Sequence, residues 1–157
     1  MGASSAAMTA RMAQATAVFN PKESGSDYFW YTHTAVSGLS SVAPTATQFI
    51  NLDADSDFYC VALSYAASIA DAVLTESTNV LPLVRVQITD TSTGKALMNS
   101  PLPLYAMMGD GKRPYRLARP RVFLANGTIQ LAFTSFVAAA TTYSDLQIIF
   151  HGYKVYR

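Results

Sequence analysis

Cysteine occurs once in the 157 residues, at Cys60, so no disulfide can form within the chain and the fold cannot depend on oxidation. Its setting, "FYCVALSY", reads as a buried strand in which the thiol serves as a small apolar side chain. Charge is also scarce. Only 13% of residues are charged against 50% hydrophobic, which is too apolar for a disordered chain and leaves much of the surface neutral, ready to be covered by partners. Long apolar runs are missing too, since nothing reaches the ~20 residues needed to cross a bilayer, so no membrane partner is expected. The first stretch, "MGASSAAMTARMAQATAV", lacks a basic leader and an unbroken apolar core and reads poorly as a signal peptide.

Catalytic signatures are equally sparse. There is no G-x-S-x-G, no H-E-x-x-H, and no strand followed by G-x-x-x-x-G-K-[ST], so neither an enzyme nor a cofactor is expected. His33 and His151 have no Cys or carboxylate at ligand or triad spacing, and each reads as a hydrogen-bonded residue at a sheet surface or interface. "DADSDF" places Asp53, Asp55 and Asp57 at the alternating spacing of a calcium loop. Phe58 and Ser64 then stand where that loop needs Gly and a bidentate Glu, so a solvated turn is expected instead of a metal site.

What the chain does contain is strand pattern. Residues 1–26, rich in Ala, Ser, Thr and Met, read as an N-terminal arm, extended or with a short helix over Ala6–Ala17. Such a helix has almost no charged face, and the arm is expected to lie against a neighbouring molecule. Residues 27–157 read as one β-domain. Val84, Val86 and Ile88 alternate with Arg85, Gln87 and Thr89, and Ile129, Leu131 and Phe133 with Gln130, Ala132 and Thr134; period two gives one buried face and one exposed face. Further strands are expected at 27–34, 46–52, 58–66, 102–107, 120–124 and 146–156. Turns are expected at "TDTSTG" and "ANG", where glycine can adopt a positive φ. About eight short strands predict an all-β fold, an antiparallel two-sheet sandwich with a jelly roll as leading topology.

The strongest charge feature is "GDGKRPYRLARPRVF". Residues 1–110 hold nine acidic and four basic side chains, net −5, while 111–157 hold one acidic and seven basic, net +6. The segment is a poor phosphate loop, because no Ser or Thr follows Lys112 and Pro114 opposes the helix such a loop requires. A whole-chain charge of +1 also makes direct nucleic-acid contact a weak reading. The segment reads as a turn at "GDG" and an irregular crossover, with Lys112, Arg113, Arg116, Arg119 and Arg121 facing a protein partner. Arg11 in the arm and Tyr153 and Tyr156 in the last strand are further candidate contacts. Leu146 to Phe150 are expected in a central core strand.

Over residues 46–157 the phrases "FINLDADSDFY", "PLVRVQITDTSTGKALMNSPLPL", "GDGKRPYRLARPRVFLANGTIQLAF" and "LQIIFHGYKVYR" together resemble the cement or decoration proteins of tailed-bacteriophage capsids. The resemblance implies a non-enzymatic virion protein of the outer capsid surface, assembled in the host cytoplasm, whose partner is the major capsid protein. It also implies a homo-oligomer, a dimer before a trimer. The 26-residue arm is not part of that pattern. The alternative from another class is a receptor- or carbohydrate-binding β-sandwich of a phage tail, neck or head fibre, in which Tyr28, Trp30 and Tyr31 form a sugar-stacking face. On a regular strand the three cannot all point the same way.

Overall fold

The computed structural model describes residues 25–35, 39, 43–69, 81–136 and 143–157. Ten strands and one helical turn follow in order: β1 (Ser26–Ala35), β2 (Thr45–Asn51), β3 (Ser56–Ile69), β4 (Val84–Asp90), β5 (Lys95–Ala96), β6 (Leu102–Pro103), α1 (Leu104–Met107), β7 (Gly109–Asp110), β8 (Tyr115–Phe123), β9 (Thr128–Ser135) and β10 (Tyr143–Tyr156). They form two sheets. One runs β1-β10-β3, with β8 and the short β7 sharing the far edge of β3; the other runs β2-β9-β4, with β5 and β6 beside β4.

The pairings are nested: β1 with β10, β2 with β9, β3 with β8, and β4 with the short β5 and β6. A ribbon folded at its middle and wound round a core produces this order, which is the jelly roll. Every pairing is antiparallel except a two-residue parallel contact of β7 with β3.

The alternation in the sequence becomes the core. Val84, Val86 and Ile88 of β4 and Ile129, Leu131 and Phe133 of β9 are all buried, and the ladder pairs Val86 with Phe133 and Ile88 with Leu131. Opposite them lie Leu146, Ile148 and Phe150 of β10 with Phe58, Cys60 and Leu63 of β3. Each large side chain removed from water here contributes roughly 1.5–3 kcal/mol. β10 sits between β1 and β3, so Leu146–Phe150 occupy the central strand that their composition predicts.

Three local readings are corrected. The expected strand at 102–107 is a two-residue strand followed by α1, because Leu104 and Met108, four apart, are both buried, and the Met108 N–H donates to the Leu104 carbonyl at 2.9 Å. The expected irregular crossover before "PRVFL" is already strand from Tyr115, since β3 offers it a free edge. In "ANG" the left-handed residue is Asn126, φ 59°, and not Gly127, whereas Gly94 does take φ 66° in the hairpin between β4 and β5. The arm, with Arg11 and all but the last two of residues 1–26, lies outside the described residues. No described helix is long and apolar enough to cross a membrane.

Candidate functional site

Strand register decides which outward side chains become neighbours. Across the β1-β10-β3-β8 sheet one row reads Tyr28, Tyr153, Tyr59, Val122, and the next reads Trp30, His151, Ala62, Arg116. Adjacent strands lie about 4.8 Å apart, so members of a row touch. The Tyr59 and Tyr153 rings stack at 5.1 Å with planes 10° apart, and Trp30 meets the His151 ring edge-on at 5.1 Å. The edge-strand aromatics stay open to water: Tyr28 is 84% exposed and Trp30 63%. Tyr31, one residue on, faces inward and is buried. Two of the three expected platform aromatics therefore share a face and the third belongs to the core.

The His151 ring is held from beneath. A register shift at Val61 of β3 aligns Ala62 with His151, and Ser64 Oγ lies 2.6 Å from His151 Nε2. Burial holds the imidazole below its ordinary pKa, so it is neutral near pH 7. Ser64 is fully buried, which makes this pair a brace for the ring and not an exposed nucleophile and base. A cleft of about 570 Å³ opens beside it, lined by Tyr28, Ala62, Pro114, Arg116, Pro120 and His151.

The basic segment is divided between several surfaces. Asp110 Oδ1 accepts the backbone N–H groups of Lys112 at 3.1 Å and Arg113 at 2.7 Å, closing the turn at "GDG" and leaving both side chains exposed. Between Arg116 and Arg121 four residues of β8 stand opposite the single Val61. That irregularity sends Arg116 to the cleft and Arg119 to a groove on the open edge of the sandwich, beside Met98, Leu102 and Tyr115. Arg121 turns inward, 3.7 Å from Asp90 of the other sheet and over the Phe123 ring. Arg113, Arg116 and Arg119 form no ion pair with a described residue, whereas Arg121 is used within the fold. Tyr153 stands in the outer row. Tyr156 shares the inward parity of Lys154 and is half-buried, away from that row.

The acidic turn is not simply solvated. Asp53 pairs with Lys154, whose ammonium is buried over the Phe29 ring at 3.3 Å. The Asp53 backbone N–H donates to the Tyr31 hydroxyl at 3.1 Å. Asp57 accepts from Arg157 at 2.6 Å and from the Ala125 N–H at 2.7 Å. The Lys154 hydrogen bond holds Asp53, and the Arg157 hydrogen bond holds Asp57, below the ordinary carboxylate pKa. Among the described residues no group of three or more His, Cys, Asp or Glu could hold a metal. Burial pushes the Cys60 thiol up to about 12, as befits the buried apolar role that its neighbours predict. His33 lies on β1 opposite Ile148.

No family model matches the chain, and no curated protein matches it.

Proposed function

We propose that this chain is a non-enzymatic structural virion protein that docks on the outer surface of a tailed-phage capsid and cements major capsid subunits. The carrying observation is the outer face of the β1-β10-β3-β8 sheet, where exposed Tyr28 and Trp30 stand with Tyr153 and with Arg116, which forms no ion pair with a described residue. Tyr, Trp and Arg are the residues that dominate binding energy at protein interfaces, because each combines a broad apolar surface with a polar tip. Arg113 in the neighbouring turn and Arg119 on the open edge add charge that a carboxylate-bearing shell would pair with. Repetition of such a contact over a shell multiplies modest single-site affinity.

A second reading draws on the same rows. Tyr28 and Trp30 stand two residues apart on one face, beside a cleft holding Arg116 and His151, which suits stacking and hydrogen bonding to a sugar ring. Co-sedimentation with empty capsids and a glycan array separate the two. Capsid binding with a silent array supports the cement role; array binding without sedimentation replaces it with the glycan role.

A further inference from the structure

We infer that the edge of β1 facing away from β10 is a self-association edge, at which a second copy of this chain adds its own β1 antiparallel and joins two sandwiches into one continuous sheet.

Hydrogen-bond parity sets which backbone groups of β1 face away from β10. The Tyr156 N–H donates to the Gly25 carbonyl at 3.1 Å, so the residues of β1 that bond to β10 are Gly25 and every second residue after it. On the other side of β10, the Arg157 N–H donates to the Asp55 carbonyl at 3.2 Å, which fixes the opposite parity there and agrees with the first assignment. The backbone N–H and C=O groups of Tyr28, Trp30 and Thr32 therefore point away from β10. Among the described residues no strand pairs with that side of β1.

An edge strand of unshifted register is a template for another strand unless something blunts it, and proteins usually use Lys, Pro or a bulge for this. Ser26–Ala35, "SDYFWYTHTA", contains no Lys, Arg or Pro, and its register with β10 has no shift. The strand is also complementary to itself. Pairing even-numbered residues across a two-fold axis at Trp30 sets Tyr28 against Thr32 of the second copy and Trp30 against Trp30. Large and small side chains then alternate, and the two tryptophans form an aromatic cross-strand pair. Asp27, the one acidic residue in the strand, lies far from the axis and never meets its own copy. In this arrangement the Trp30–His151–Ala62–Arg116 row runs unbroken into the same row of the second copy in reverse. This self-association does not depend on the capsid reading.

Trp30 is the chain's single tryptophan, so it reports its own burial. Sedimentation equilibrium and intrinsic fluorescence, run together from low to high micromolar protein, test the proposal. The expected result is a mass that rises from 16.9 kDa toward twice that value as Trp30 emission moves to the blue. Thr32→Pro removes one outward N–H without touching a bond to β10, so it should stay monomeric with unchanged β circular dichroism. Should that variant fail to fold, Trp30→Lys leaves the backbone intact, sets two like charges on the axis, and should also be monomeric. A wild-type monomer throughout would overturn the proposal, whether the edge is then covered by the chain's own arm or left for another protein. So would a dimer that persists in the folded variants.

Discussion

The two outer faces of this sandwich obey the same alternation and carry opposite chemistry. On the β2-β9-β4 sheet the outward rows read Thr45–Thr134–Arg85, Thr47–Ala132–Gln87 and Phe49–Gln130–Thr89, mostly short and polar, with Arg85 lying over the Phe136 ring. On the β1-β10-β3-β8 sheet the corresponding rows are Tyr28–Tyr153–Tyr59–Val122 and Trp30–His151–Ala62–Arg116. Hydration suffices for the first face. The second exposes large rings beside an arginine with no ion pair among the described residues, an arrangement that a partner can desolvate at a gain. The difference teaches that the binding surface is set by what occupies the outward positions, while the inner faces are built alike.

That likeness of the inner faces is the first thing to break. Ile148→Ala in one sheet and Ile88→Ala in the other empty equally buried positions, and each should cost about 2–5 kcal/mol in urea unfolding. A markedly smaller loss in one sheet would mean that its inner face is not packed as described.

Next in size are the two buried charged side chains among the described residues, one on each inner face: Lys154 and Asp90. Asp90→Ala removes the acceptor of the Ser92 N–H and of the Thr93 N–H and hydroxyl, together with the ion-pair partner of the partly exposed Arg121, so the lost hydrogen bonds dominate an expected loss of about 3 kcal/mol. Lys154→Ala strands only Asp53, whose carboxylate is half-exposed and rehydrates, so about 2 kcal/mol is expected. Thermal or urea unfolding of the pair reads the order, and a larger loss for Lys154→Ala would reverse it.

The smallest effect is pH dependence, which should arise on the aromatic sheet. Asp53 and Asp57 have folded values below their ordinary 3.8, so their contribution is complete well above that value and is lost as pH falls through the depressed folded values. His151 is depressed below 6.5, so the unfolded chain takes up that proton first and stability slips as pH drops below 6.5. Urea midpoints from pH 8 to pH 3 should show a shallow step and then a steeper one. His151→Gln should remove the shallow step alone.

How much of this was legible follows from the same distinction between alternation and register. The strands around Val84–Ile88 and Ile129–Phe133 were readable because period two needs only local sequence, and the sandwich followed from their number and spacing. The outer rows were not readable, since they exist only once β10 is placed between β1 and β3, and a slip of one residue would turn every ring inward. Lys154 could have been found: continuing the inward parity from Leu146, Ile148 and Phe150 reaches it through Gly152. That glycine is itself required, because a Cβ there would run into the Tyr59 carbonyl and lie 2.8 Å from Phe58 ring carbons. The fate of the basic segment was hidden by the irregularity of β8 opposite Val61, which breaks parity between Arg116 and Arg121. Sequence placed five cations together, and the fold sends them to different surfaces.

The most direct test of the contrast between faces is co-sedimentation of Trp30→Ala and Phe49→Ala proteins with empty capsids. Both residues are exposed, at 63% and 52%, and neither change should unfold the domain. Trp30→Ala should lose about 2 kcal/mol of capsid affinity, roughly thirty-fold, while Phe49→Ala should stay within about 0.5 kcal/mol of wild type. Equal affinity of the two variants, or loss on Phe49→Ala alone, would contradict that contrast.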